Sequence, residues 1–64
     1  MKTIKVNAWI RGYLSEITIA TDKIVGVRNN IESPPYHTAI LMTNIGEIYT
    51  NESTIKVNNK IRFA

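Results

Sequence analysis

Few side chains in this chain could do covalent or proton-transfer chemistry. The one histidine, His37, follows Pro34-Pro35 and precedes an apolar run, and there is no cysteine. That rules out a His-rich or Cys-bearing metal site and leaves any triad resting on a single imidazole in a loop. The five acids, Glu16, Asp22, Glu32, Glu47 and Glu52, are scattered without the spacing of a paired-carboxylate site. No glycine-rich phosphate loop or zinc motif occurs. The chain is therefore expected to be non-enzymatic, with no catalytic residue, no metal and no cofactor.

What remains is recognition chemistry. Trp9 stands beside Arg11 and Tyr13, Lys5 lies on the same segment, and Lys56, Lys60 and Arg62 lead to Phe63. Aromatic faces next to cations can stack bases and neutralise phosphates, so these residues are candidate contacts for single-stranded nucleic acid or RNA, or for a small anion such as a nucleotide held between subunits. The competing role is packing. One Trp, three Tyr and one Phe barely serve the interior of a β domain of 64 residues, which makes core or subunit interface the favoured role for the aromatics and a solvated rim the role for the lysines.

The elements that must position these groups are strands. Ile4, Val6, Ala8 and Ile10 alternate with Lys5, Asn7 and Trp9, the period of a half-buried strand. Arg11-Gly12 offers a two-residue turn, after which Tyr13 to Ala20 returns. That register sets Ile10 opposite Tyr13, Ala8 opposite Ser15, Val6 opposite Ile17 and Ile4 opposite Ile19, gathering the aliphatic side chains on one face. It also sets Trp9 opposite Leu14 on the outer face, an apolar pair that wants cover from the chain's own C-terminal segment or a loop, or else from a partner. Arginine is poorly suited to a positive φ, which points to a type II or bulged turn at Arg11.

A third strand is expected over Lys23 to Asn29, with Gly26 marking a bulge or a close neighbour such as Trp9. Asn30 to Pro35 is a surface loop stiffened by its prolines. His37 to Thr43 and Glu47 to Thr50 form a hairpin around Asn44-Ile45-Gly46, with Gly46 as the left-handed residue of a three-residue connection. Thr43 then opposes Glu47 and Met42 opposes Ile48, making Ile40, Met42 and Ile48 the clearer core face and Ala39, Leu41 and Tyr49 a second apolar one. From Ser53 onward two patterns compete. Ser53 can cap a helix that aligns Val57 with Ile61, whereas the β-branched and Asn content favours strand, Asn58-Asn59 turn and strand.

Residues 37–61, from Thr38 to Thr43 through Gly46, Ile48-Tyr49 and Glu52-Ser53 to Val57 and Ile61, resemble the small FlbD-type flagellar and swarming proteins. The resemblance implies a C-terminal helix and a protein-interaction role, and carries no defined biochemical site with it. The N-terminal hairpin and Pro34-Pro35 lie outside it.

The expectation is one all-β domain over residues 1–64, five or six antiparallel strands in a barrel-like or sandwich shape, with a short C-terminal helix as the variant. So short a chain buries only about 60% of its unfolded surface, which favours completion by a second copy. It is expected to be a small cytoplasmic interaction or regulatory protein without a membrane span. It would form a homo-oligomer through Trp9, Leu14, Arg11 and Tyr13 and bind a protein partner. Its size and Ile, Lys and Asn content are of the kind found in phage- or mobile-element-encoded proteins.

Overall fold

A computed structural model describes residues 2–64. The strands are β1 (Thr3–Ile10), β2 (Tyr13–Ala20), β3 (Ile24–Asn29), β4 (Ala39–Thr43) and β5 (Gly46–Tyr49), followed by one helix, α1 (Thr54–Arg62). β1 and β2 form an antiparallel two-stranded sheet, and β3, β4 and β5 an antiparallel three-stranded one in that order. The sheets do not close into a barrel. A single bridge between Ala8 and Thr50 ties one to the other.

The first hairpin has the register that its alternation dictates, from Thr3 opposite Ala20 to Ile10 opposite Tyr13. The turn differs from expectation. Arg11 at φ +51° and Gly12 at φ +83° are both left-handed, the mirror-image turn whose twist matches that of paired strands. A left-handed arginine costs about 1–2 kcal/mol, a local penalty outweighed by keeping Ile4, Val6, Ala8, Ile10, Ile17 and Ile19 on one face.

The second hairpin is corrected by one residue. Thr43 opposes Gly46, Met42 opposes Glu47 and Leu41 opposes Ile48, so only Asn44 and Ile45 lie in the turn. Gly46 does take a positive φ, +142°, but as the first residue of β5. The Thr43 hydroxyl donates to the Gly46 carbonyl at 2.8 Å and accepts from the Ile45 amide, which closes the connection early. Because strand faces alternate, the shift replaces the expected Ile40, Met42 and Ile48 face by Ala39, Leu41 and Ile48, and turns Met42 outward. Ile40 is buried on the opposite face.

β3 starts at Ile24, because Thr21–Lys23 form a 3-10 turn in place of the expected first strand residue, Lys23. The bulge expected from Gly26 is present between Ile24 and Gly26 and turns Val25 outward. No neighbour presses on Gly26, since nothing lies within 4 Å of where a Cβ would sit.

The strand-turn-strand reading of the C-terminal segment is overturned. The Ser53 hydroxyl accepts from the Lys56 amide at 3.2 Å and caps α1, and Val57 buries completely with Ile61 partly buried beside it. Packing of these two i, i+4 side chains outweighs weak local propensity. The core is thus Ile4 and Val6 of β1, Ala39 and Leu41 of β4, and Val57 of α1.

Candidate functional site

β1 and β2 run on past this core. Inward burial ends at Ala8, so the last inward pair, Ile10 and Tyr13, stands 42% and 77% exposed, and the outward pair, Trp9 and Leu14, stands 41% and 43% exposed. The hairpin end is therefore apolar on both faces. Trp9, Pro34 and Pro35 line a shallow cleft of 430 Å³, so the proline loop borders the indole without covering it.

That loop is organised by a buried amide that the sequence does not single out. Asn30 Nδ2 donates to the Pro35 carbonyl at 3.2 Å, its Oδ1 accepts from the Glu32 amide at 3.2 Å and the Ser33 amide at 3.4 Å, and its carbonyl accepts from the His37 amide at 2.7 Å. Thr38 Oγ1 closes the other side by donating to the Pro35 carbonyl. Exposed His37, at φ +63°, serves as a turn residue. Among the described residues no group of His, Asp and Glu side chains is placed to hold a metal.

Glu52, one of the scattered acids of the sequence, is the electrostatic centre of the molecule. It is 5% exposed. Its Oε2 accepts from the Asn7 amide of β1 at 3.0 Å, and its Oε1 lies 2.7 Å from the Lys60 ammonium and 3.6 Å from that of Lys56. Lys60 also donates to the Lys5 carbonyl at 2.7 Å, so Oε1 is held by charge more than by a well-directed hydrogen bond. Burial pushes the Glu52 carboxyl upward. The Lys60 contact, the Asn7 amide and the charge of Lys56 outweigh it and leave the group below its ordinary value. The adjacent backbone joins the sheets. The Asn51 amide donates to the Asn7 carbonyl, the Ala39 amide to the Glu52 carbonyl, and the buried Thr50 hydroxyl to the Ala39 carbonyl. A signal was present in the sequence: lysines four and eight residues after Glu52 share its helical face.

The predicted cationic residues accordingly do not form one patch. Lys56 and Lys60 gather around Glu52, Lys5 contributes only its main-chain carbonyl to Lys60, and Arg11 and Tyr13 lie at the hairpin end, about 20 Å along β1 from Lys5. Arg62 sits over the Phe63 ring, 5.5 Å from its centroid, at the end of α1. On β3, Arg28 pairs with Glu47 at 2.6 Å and Glu32 at 3.2 Å. The hydrogen bond from Arg28 lowers the Glu47 carboxyl against a small opposing effect of burial.

A second apolar feature, not anticipated from the sequence, is a groove of 460 Å³ between β2 and the β4–β5 turn. Ile17, Ile19 and Ile48 line it, Lys23 lies at its edge, and Ile45 projects beside it 96% exposed. No helix among the described residues is long and apolar enough to cross a membrane. Compared with models of protein families, with curated proteins and with solved structures, the chain matches none of them.

Proposed function

We propose that this chain is a non-enzymatic interaction protein that self-associates and engages a protein partner through the apolar end of its first hairpin. The observation that carries this reading is the projection of Trp9, Ile10, Tyr13 and Leu14 beyond the core on both faces of one hairpin. An apolar surface of that kind, with aromatic anchors and a proline wall, has the make-up of an interface centre. Nucleic-acid binding through Trp9, Arg11 and the C-terminal tail ranks below it, because Glu52 engages Lys56 and Lys60 and leaves Arg11 as the one cation beside Trp9 in the hairpin end.

The test is sedimentation velocity of the full chain across the micromolar range, at low and moderate salt. A reversible dimer or larger species is expected, weakened at least tenfold by joint Trp9→Ala and Leu14→Ala substitution. A strictly monomeric chain whose Trp9 emission is already that of a buried indole would refute the proposal. Binding of mixed oligonucleotides that falls with salt would favour the nucleic-acid reading instead.

A further inference from the structure

From the open edge of β2, we infer that self-association proceeds by antiparallel pairing of β2 with β2 of a second copy, about a twofold axis through Ile17. This rests on the self-association proposed above and sets its centre on the β2 edge, with Leu14 in the contact and Trp9, on β1, one strand behind it.

The direction of the β2 backbone follows from the first turn. In a two-residue hairpin the closing pair, Ile10 and Tyr13, exchanges both hydrogen bonds, so Tyr13, Ser15, Ile17 and Ile19 face β1. The next odd position confirms this parity, since the Thr21 amide donates to the Lys2 carbonyl at 2.9 Å. The amides and carbonyls of Leu14, Glu16, Thr18 and Ala20 therefore point away from β1. Among the described residues β2 has no strand on that side, and no hydrogen bond reaches those groups of Leu14, Glu16 and Thr18, while the Ala20 carbonyl opens the 3-10 turn.

β3, the edge of the three-stranded sheet on the far side from the bridge between Ala8 and Thr50, is protected in ways that β2 is not. β3 has six residues, a bulge at Val25, a charged Arg28 within it and Lys23 just before it, and α1 packs against it. These are the devices that keep a strand edge from pairing. β2 has eight residues in unbroken register, no proline, no lysine and a single charge, Glu16. Its edge also borders the apolar groove lined by Ile17, Ile19 and Ile48.

Axes through the middle of the strand, at Glu16 or Ile17, give the longest overlap of the two copies. Hydrogen-bonded pairing requires even-numbered residues to oppose even-numbered ones. An axis through Glu16 would set two carboxylates against each other, a destabilising like-charge pair. An axis through Ile17 sets Glu16 opposite Thr18 of the second copy, Leu14 opposite Ala20, and Ile17 opposite Ile17. The inward faces then coincide, and Val6, Ile17, Ile17 and Val6 make one aliphatic row across four strands. Ile17 of each copy enters the groove of the other.

The register is tested by cysteine trapping in the full chain, which has no cysteine of its own. Ile17 on the axis is a non-hydrogen-bonded pair with Cα atoms about 4.5 Å apart, within the span of a disulfide. Ile17→Cys is expected to give a disulfide-linked dimer under mild oxidation, at least tenfold more than Ser15→Cys, whose copies are offset by four residues, about 13 Å. Thr18→Pro removes an outward amide that β1 does not use and is expected to give a monomer with an unchanged far-ultraviolet spectrum. If that variant fails to fold, the cysteine pair still decides. Equal trapping of both cysteines, or a folded Thr18→Pro variant that stays dimeric beside a dimeric wild type, overturns this geometry and leaves self-association standing. A monomeric wild type defeats both, and leaves the edge to a strand of another protein.

Discussion

Replacing Glu52 tests whether one buried carboxylate holds β1 and α1 together. Glu52→Gln keeps the shape of the side chain and an oxygen for the Asn7 amide but removes the charge that Lys60 and Lys56 face. A hydrogen bond to a charged group contributes about 1.5–3 kcal/mol and a neutral one about 1, so the Asn7 contact loses about 1 kcal/mol. Lys60 is 31% exposed and recovers water when unpaired, which keeps the ion-pair loss to about 0.5–1 kcal/mol. The expected loss at neutral pH is about 1–2 kcal/mol for Glu52→Gln, and about 3 for Glu52→Ala, which also leaves the part-buried Asn7 amide unmatched. For a domain of this length, total stability is roughly 3–10 kcal/mol, so either change is large.

The pH dependence supplies the sign. The Glu52 carboxyl is held below its ordinary 4.5 in the folded chain. Its contribution is therefore present above pH 4.5 and is lost as pH falls through the lower folded-state value. Glu47 is lowered as well and imposes a similar slope on wild type and variant alike, so the informative quantity is the gap between them. Urea unfolding followed by Trp9 fluorescence, at one fixed chain concentration because association shifts apparent stability, should show a gap at pH 7 that narrows at pH 3. Equal stability at pH 7, or a gap of the same size at both pH values, would refute the assignment.

Two further substitutions probe the elements around the hairpin end. Arg11→Asn places a residue that tolerates the left-handed region before Gly12 and should raise stability by about 0.5–1 kcal/mol, seen as a higher urea midpoint; a lower midpoint would show that the arginine side chain contributes more than its backbone strain costs. Asn30→Ala removes the side-chain bonds to Glu32, Ser33 and Pro35 at a cost of about 2–3 kcal/mol, and should shift Trp9 emission to the red as the proline wall loosens. Unchanged emission would mean that the wall holds without the amide.

The features legible in the sequence were those fixed by short-range alternation. The register of β1 with β2 follows from where the aliphatic residues fall, and the exposed Trp9 and Leu14 pair follows from the same register. The second hairpin was less legible because Ile40, Leu41 and Met42 are all apolar, so alternation does not say which face is inside, and the loop length was left to glycine alone. There the Thr43 hydroxyl decides the closure. The helix lay hidden because its stability comes from Val57 and Ile61 meeting a core made by distant strands, which local propensity does not report. Glu52 was only partly legible: Lys56 and Lys60 are near it in sequence, whereas its amide partner, Asn7, is 45 positions away.

These two classes of feature meet at Asn7. Its amide and carbonyl bond to Glu52 and Asn51 on one side of β1, which anchors the middle of the hairpin to the second sheet. The bridge between Ala8 and Thr50 follows, and beyond it the hairpin projects. The position of these anchors, the Glu52 carboxylate on Asn7 and the bridge from Ala8 to Thr50, therefore sets how much of the locally encoded apolar strand surface is left outside the core. A substitution at Glu52 should then do more than lower stability. With the Asn7 contact weakened and the charge facing Lys60 gone, the hairpin is held less firmly to the rest of the fold, and pairing of the β2 edge with a second copy should weaken. Sedimentation of Glu52→Gln at pH 7, under conditions where the chain remains folded, should show weaker association even though Glu52 lies outside the proposed contact. Association equal to that of the wild type would mean that the hairpin is rigid without its anchor.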